Sequence, residues 1–291
     1  LSNGIRLVHR YTPSIVSHCG LTIGIGSRDE KLSENGTAHF VEHCLFKGTS
    51  KRKAYRILDC IDGVGGELNA FTTKEETCVY GLYLEQYHER FLELLADIVF
   101  HSTFPEQAIE KEKEVILDEI NSYMDTPSEQ IFDDFEYRLF GNRGLGRMIL
   151  GTPDKVKAMT RERLQDFVRA NYTTDNMVIS TITSIPADKW FAMCEKHLGK
   201  EPKTERTNKR TSIGIYKPTY KSIDRDTYQS HIIIGNRAYS YRNPKKVPFS
   251  LLNNILGSGA MNSFLNMHIR EKYGFTYSIE SSYTAYYDTG V

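Results

Sequence analysis

The sequence lacks the features that mark several common classes of protein. Its five cysteines are widely spaced and contain no C-x-x-C pair, which argues against a disulfide framework and a cysteine-ligated zinc site. No stretch approaches the run of about 18 apolar residues that a membrane helix requires. Thirty-seven basic residues balance 37 acidic ones, and this absence of net charge argues against a nucleic-acid-binding protein.

Composition and one polar segment predict a chain of two domains. The 291 residues, 40% of them hydrophobic and 25% charged, suit a globular protein of roughly two domains. Residues 199–212 are mostly polar and predict a linker between an N-terminal domain, residues 1–212, and a second domain, residues 213–291. The pattern IGSR at residues 25–28 returns as IGNR at residues 234–237. This weak repeat fits a duplicated unit whose second copy is incomplete, since the sequence ends at residue 291 just after a predicted strand, without the helices that would complete the copy.

Local patterns predict both helices and strands. Apolar side chains in residues 91–99 recur at helical spacing, whereas residues 177–183 are rich in β-branched residues. The predicted strands cover residues 5–9, 21–25, 68–72, 77–84, 177–183, 232–235 and 275–283. The predicted helices cover residues 37–46, 54–61, 91–99, 106–124, 127–139, 160–171, 186–198, 247–256 and 262–270.

One short motif carries most of the chemistry. Residues 39–43 read H-x-x-E-H, and on a helix His39 and His43 project from one face because they are four residues apart. Two such imidazoles can share one metal ion. Glu42 borders that face without being forced into the ligand set, which suits a general base acting on a metal-bound water. A catalytic zinc ion takes three protein ligands, so a third is expected elsewhere.

The helix predicted over residues 106–124 offers candidates for the third ligand. Its carboxylates are Glu110, Glu112, Glu114, Asp118 and Glu119. Glu112 and Glu119 are seven residues apart and lie on nearly the same face, so one could ligate while the other orients a ligand histidine. The residues alone do not choose between them. The alternative for this helix is a solvated face with ion pairs between successive turns.

The surroundings of the motif resemble the family of pitrilysin, insulin-degrading enzyme and mitochondrial processing peptidase. Residues 36–43 (GTAHFVEH) and 46–49 (FKGT) are similar to the active-site helix of the processing-peptidase-like branch. The resemblance implies that His39, His43 and Glu119 bind one zinc ion, since Glu119 stands 76 residues beyond His43, as the family's third ligand does. It also implies that Glu112 hydrogen-bonds a ligand histidine and that Glu42 is the general base.

Two further segments extend the resemblance. Residues 66–72 (GELNAFT) are similar to the family's edge strand, which implies that Asn69, Ala70 and Phe71 bind a substrate peptide added as an extra strand. Residues 265–278 resemble the second-domain motif whose arginine and tyrosine reach the active site. Arg270 and Tyr277 take those positions and would stabilise the oxyanion that develops during peptide hydrolysis.

The resemblance implies an α+β fold of duplicated domains, each an antiparallel-rich mixed sheet packed against helices. The expected function is zinc-dependent endopeptidase activity on unstructured peptides, in a homodimer or a heterodimer with a related subunit, without nucleic acid and without a membrane span. The main alternative is a non-catalytic family subunit that acts as a structural or peptide-binding partner; a third hypothesis is a metal-independent peptide-binding module. Free thiols favour a cytoplasmic location, and a periplasmic or organellar one stays open because the chain begins without methionine.

Overall fold

The structure, a computed structural model, describes residues 1–207, 210 and 212–291. These residues form two compact units: residues 1–137 with 141–212, and residues 138–140 with 213–291. The described residues of the predicted linker, 199–207, 210 and 212, therefore belong to the first unit. The other three residues of that linker, 208, 209 and 211, lie outside the described residues.

The first unit contains a five-stranded mixed sheet. Its strands are β1 (Arg6–Tyr11), β2 (Val16–Ile23), β3 (Glu67–Thr72), β4 (Thr77–Leu84) and β5 (Met177–Thr183). Their spatial order is β1-β5-β2-β4-β3, and only the β1–β5 pair is parallel. Strand β3 therefore lies at one edge of the sheet. The antiparallel-rich mixed sheet predicted for this part of the chain is confirmed.

Helices cover one face of this sheet. The helices of the first unit are α1 (Thr37–Leu45), α2 (Ala54–Asp62), α3 (His88–His101), α4 (Glu106–Met124), α5 (Pro127–Phe140, whose last three residues belong to the second unit), α6 (Pro153–Lys157), α7 (Arg161–Asn171) and α8 (Ala187–Leu198). Alternate residues of β2, such as Leu21 and Ile23, are fully buried, as are Phe91 of α3 and Trp190 of α8. This burial follows from the period-2 pattern of the strand and the period-3.6 pattern of the helices.

Helix α1 contacts both the sheet and neighbouring helices of the first unit. It packs against strand β3 and against helices α4 and α7, and its apolar residues Phe40, Val41 and Leu45 are fully buried. The opposite side of the same helix carries the polar residues of the H-x-x-E-H motif. The buried stripe fixes the rotation of the helix about its axis, and so fixes the direction in which that motif faces.

The second unit differs from the prediction. It contains helix α9 (Lys246–Gly257) and a π-helical turn, Asn266–Glu271, whereas the strands predicted over residues 232–235 and 275–283 are wrong, because neither range forms a strand in the described chain. Ile234 and Tyr277 are both 94% exposed. A strand needs a hydrogen-bonded neighbour as well as suitable residues, and periodicity alone does not show whether a neighbour is present.

Candidate metal centre

Helices α1 and α4 bring three potential metal ligands together. One carboxylate oxygen of Glu119, Oε2, lies 3.7 Å from Nε2 of His39 and 3.7 Å from Nε2 of His43. The two imidazole rings meet edge to face with their centroids 4.6 Å apart. The histidines face the same way because they are one helical turn apart, and α4 supplies the carboxylate because it packs directly against α1.

The donor set fits a zinc ion. One donor atom of each of His39, His43 and Glu119 lies within 4.8 Å of the other two, and two imidazoles with one carboxylate are a common ligand set for catalytic zinc. Ligand atoms about 2.0–2.2 Å from a shared tetrahedral ion stand about 3.3–3.6 Å apart, close to the 3.7 Å that separates Oε2 of Glu119 from Nε2 of each histidine. Among the described residues, this is the one cluster of three such side chains.

The electrostatics of His39 favour its metal-binding form. His39 is 8% exposed, and burial, followed by the neighbouring charge of His43, lowers its pKa to about 3. The imidazole is therefore neutral at ordinary pH, which leaves a ring nitrogen free to ligate.

A chain of hydrogen bonds orients the second histidine. Nδ1 of His43 lies 3.0 Å from Oε2 of Glu112, and the other oxygen of that carboxylate lies 2.7 Å from Nζ of Lys47. With Lys47 beside it, Glu112 accepts the Nδ1–H of His43, which places the free lone pair of His43 on Nε2, towards Glu119. Lys47 lies in the FKGT segment, but sequence reasoning gave it no role.

Glu42 lies on the same turn of α1 as His43 and is half-buried. Burial is the main reason that the pKa of its carboxyl is raised; the charge of Glu119 acts in the same direction, and His43 acts in the opposite one. A carboxylate with a raised pKa holds a proton more readily and is a stronger base once ionised.

An acidic cavity of about 590 Å³ adjoins the metal centre. His39 and Glu119 form part of its wall, and Glu129, Asp133 and Glu136 of helix α5 add three more carboxylates. One cation, Lys74, balances this charge only in part; its Nζ lies 2.9 Å from Glu136 and 3.4 Å from Asp133. Sequence reasoning missed this cavity, and the available signal was the run of acidic residues at helical spacing in α5.

The predicted substrate-binding residues lie on the edge strand β3. Asn69 and Phe71 are exposed and Ala70 is half-buried. The side-chain oxygen of Asn69 accepts a hydrogen bond of 2.8 Å from the backbone N–H of Ala70. Because β3 is the last strand of the sheet, its outer edge is where an added peptide strand would pair. The binding role of these residues stays a prediction.

Arg270 and Tyr277 belong to the second unit. Arg270 lies in the π-helical turn, half-buried, with Nε 3.9 Å from the carboxylate of its neighbour Glu271. Tyr277 is almost fully exposed. Their proposed role at the oxyanion stays a prediction.

Comparison with known sequences identifies the family. Residues 6–153 match the profile of insulinase (peptidase family M16), and residues 158–291 match that of the peptidase M16 inactive domain. This chain belongs to the insulinase family, peptidase family M16, as the resemblance predicted. The residues of the metal centre, and also Glu42 and Glu112, all lie within the first match.

Named relatives and solved structures agree with this assignment. An uncharacterized zinc protease of Bacillus subtilis is 36% identical over 294 residues, which cover 99% of this chain and 70% of the relative. An uncharacterized zinc protease of Mycobacterium leprae is 37% identical and is covered over 66% of its length. The crystal structure of a protease from Helicobacter pylori, 19% identical, superposes with a TM-score of 0.86 over 99% of this chain and 71% of that one. This likeness shows that the fold is shared.

The chain thus spans about two thirds of the length of these relatives. Along the sequence, the boundary between the two matched ranges falls near residue 155, whereas the main boundary between the two compact units falls after residue 212. The assignment of residues 1–212 and 213–291 to two homologous domains stays a prediction. None of the described helices is long and apolar enough to span a membrane.

Proposed function

We propose that this protein is a zinc-dependent endopeptidase that hydrolyses unstructured peptides. The observation that carries the proposal is the position of one oxygen of Glu119, 3.7 Å from Nε2 of both His39 and His43, with Glu42 on the same turn of α1. The relatives carry the name uncharacterized zinc protease, and this name supports the choice of metal.

Each residue of the centre has a distinct task in the proposed reaction. His39, His43 and Glu119 would hold the zinc ion, which supplies a Lewis acid that activates water and polarises the peptide carbonyl. Glu42 takes a proton from the attacking water and delivers it to the leaving amine. Glu112 holds the ring of His43 through Nδ1. Arg270 and Tyr277 are proposed to donate hydrogen bonds to the oxyanion.

Two features support a peptide as substrate. Strand β3 is an edge strand, and an extended peptide can pair with such an edge through main-chain hydrogen bonds, which tolerate varied side chains. The cavity beside the metal centre has four carboxylates and one lysine in its wall. This charge supports a preference for peptides that carry a basic side chain close to the scissile bond.

The assembly and location are also proposals. We expect a homodimer or a heterodimer with a related subunit. A cytoplasmic location is supported by five free cysteines, four of which are buried.

Cleavage of a mixed pool of unstructured peptides by the full-length gene product tests the proposed activity. We expect cleavage that a chelator abolishes, that zinc restores and that Glu42→Gln lacks. Wild-type protein that binds zinc and cleaves nothing would favour the alternative, a non-catalytic family subunit. Peptide binding that persists without metal would favour a binding module.

A further inference from the structure

The helix that carries both histidines has no cap of its own. Its N-cap residue is Gly36, with a φ of 93° and no side chain to accept a hydrogen bond. A side chain at this position would meet the chain that crosses it, since a Cβ on Gly36 would lie 2.8 Å from the carbonyl oxygen of Leu150. The first backbone N–H groups of α1 therefore need an acceptor from another part of the chain.

Glu30 supplies that acceptor from six residues upstream. One of its carboxylate oxygens, Oε1, accepts a hydrogen bond of 2.7 Å from the backbone N–H of Ala38. The other accepts bonds of 2.9 Å from the N–H of Gly36 and 3.1 Å from the side-chain amide of Asn35. A carboxylate at the N-terminus of a helix also interacts favourably with the helix dipole.

The position of Glu30 is itself fixed. The residue is 5% exposed, and the guanidinium of Arg147 donates a hydrogen bond of 2.5 Å to its backbone carbonyl. The amide of Asn35 also donates to the carbonyl oxygen of Met148, at 3.0 Å. Burial raises the pKa of the Glu30 carboxyl to about 7, and its hydrogen bonds and the charge of Arg147 act in the opposite direction. Burying this carboxylate costs free energy, and its hydrogen bonds to the N-terminus of α1 offset that cost.

The two histidines are oriented by different means. Glu112 holds the ring of His43 at Nδ1. Nδ1 of His39 is buried and has no hydrogen-bond partner in the part of the chain that the structure describes. The direction of the His39 ring therefore depends on the backbone of the first turn of α1, which is the part that Glu30 holds through Ala38, the residue before His39.

We propose that Glu30 is the positioning residue for His39: its carboxylate fixes the first turn of α1 so that Nε2 of His39 faces Glu119. This inference rests on the proposed function, because the ligand role of His39 is itself a proposal. Glu30 would act through the backbone of α1 and would touch neither the metal nor the substrate.

The test compares metal binding in three forms of the full-length protein. These are the wild type, Glu30→Gln, which keeps the size of the side chain but loses its charge and one acceptor, and Asp97→Asn as a matched control. Asp97 of helix α3 is another buried carboxylate of the first unit. It accepts hydrogen bonds from Thr49 at 2.8 Å and Arg52 at 2.6 Å, two residues that follow the C-terminal end of α1. Zinc affinity is measured by competition with a chromophoric chelator, ligand geometry by the absorption spectrum of bound Co²⁺, and stability by the Tm.

We expect Glu30→Gln to weaken zinc binding about 10- to 100-fold, the usual effect of losing a group that orients a metal ligand, and to alter the Co²⁺ spectrum. We expect Asp97→Asn to lower the Tm while leaving affinity and spectrum unchanged. If Glu30→Gln does not fold, Glu30→Asp, whose shorter side chain withdraws the carboxylate from Ala38, decides by the same readouts.

Two results would overturn the inference alone: wild-type affinity and spectrum in the Glu30 variant, or an equal loss of affinity in Asp97→Asn. A wild-type protein that binds neither Zn²⁺ nor Co²⁺ would overturn the proposed function and this inference with it.

Discussion

Lys47 and Glu112 form an ion pair of 2.7 Å beside the candidate metal centre, and the second oxygen of Glu112 lies 3.0 Å from Nδ1 of His43. The pair joins the segment that follows α1 to helix α4. It places a positive charge next to the carboxylate that orients a proposed ligand, so we expect the lysine to influence metal binding without contacting the ligand.

Lys47→Met tests this influence. The substitution keeps most of the aliphatic stem and removes the charge, so Glu112 loses one of the two contacts that fix it. We expect zinc affinity to fall, by about 10-fold at most, because Lys47 is one contact further from the metal than the groups that usually cost 10- to 100-fold. Chelator competition measures the change. Lys113→Met is the matched control, because Lys113 pairs at 2.7 Å with Glu110 on the same helix α4. Equal affinities in both variants would contradict the proposed role.

Glu42→Gln tests the general base. The amide has nearly the shape of the carboxylate but accepts no proton, so we expect kcat to fall about 10²- to 10⁴-fold while the zinc content stays at one ion per chain. Steady-state cleavage of an unstructured peptide and metal analysis measure the two quantities. Glu110→Gln, at an exposed position of α4, should retain wild-type kcat. A Glu42→Gln enzyme with zinc and near-normal turnover would show that the base is another group.

The acidic cavity makes a prediction about substrate charge. Glu129 is an exposed member of its wall, so we expect Glu129→Gln to lower kcat/KM about 2- to 5-fold, as for the loss of a solvent-exposed ion pair. The loss should be confined to peptides with Lys or Arg near the cleaved bond. Paired peptides that differ only by Lys and norleucine at each position provide the measurement. An equal loss for both members of each pair would separate this residue from charge recognition.

Acid should destabilise the first unit through His88. This residue is 4% exposed, packs edge to face against Tyr83 and Trp190, and neither ring nitrogen has a hydrogen-bond partner among the described residues. Burial lowers its pKa below the ordinary 6.5; His9 acts in the same direction and Glu85 in the opposite one. The unfolded chain therefore binds a proton at His88 more readily than the folded chain does. The free energy of unfolding keeps its full value, as far as His88 is concerned, above pH 6.5 and decreases as the pH falls below it.

The slope of the free energy of unfolding against pH measures this loss. One proton contributes at most about 1.4 kcal/mol per pH unit. His39, whose pKa burial also lowers, contributes in the same direction, so the informative quantity is the difference between variants. His88→Phe should flatten the acid limb of the curve, whereas His18→Phe, at an exposed position of β2, should leave it unchanged. Parallel curves for wild type and His88→Phe would exclude His88 as a source of acid sensitivity.

Hydrophobic periodicity and flanking residues correctly predicted several helices and strands. Helix α4 has the predicted bounds, Glu106–Met124, and β4 and β5 also have theirs, because period and flanking residues suffice to define such elements. The positions of His39 and His43 on one face follow from helix geometry alone. The choice of Glu119 over Glu112 as the third ligand came from the family resemblance, since both lie on the same face of α4.

Features that join distant parts of the chain were not predictable in this way. Arg206 and Arg210, in the predicted linker, both pair with Asp29, at 2.7 and 2.9 Å. Nothing in the local composition indicates that a polar segment is held by a loop some 180 residues earlier. Glu30 was missed for a different reason: it lies only six residues before Gly36, but its burial, which directs the carboxylate at the helix end, depends on packing that the local sequence does not show.

Gly36 and Gly151 cross in close contact at the N-terminus of helix α1. This crossing limits which substitutions the protein can accept. A Cβ on Gly36 would lie 2.8 Å from the carbonyl oxygen of Leu150, and one on Gly151 would lie 2.8 Å from Cα of Gly36. Both positions also have a positive φ, 93° and 79°, so single replacements meet a clash and backbone strain together. In a saturation-mutagenesis library selected for stability, we expect these positions to tolerate almost no substitution, whereas the exposed wall of the nearby cavity varies freely. Selection for new substrate preferences would therefore draw its diversity from the cavity and leave the crossing unchanged.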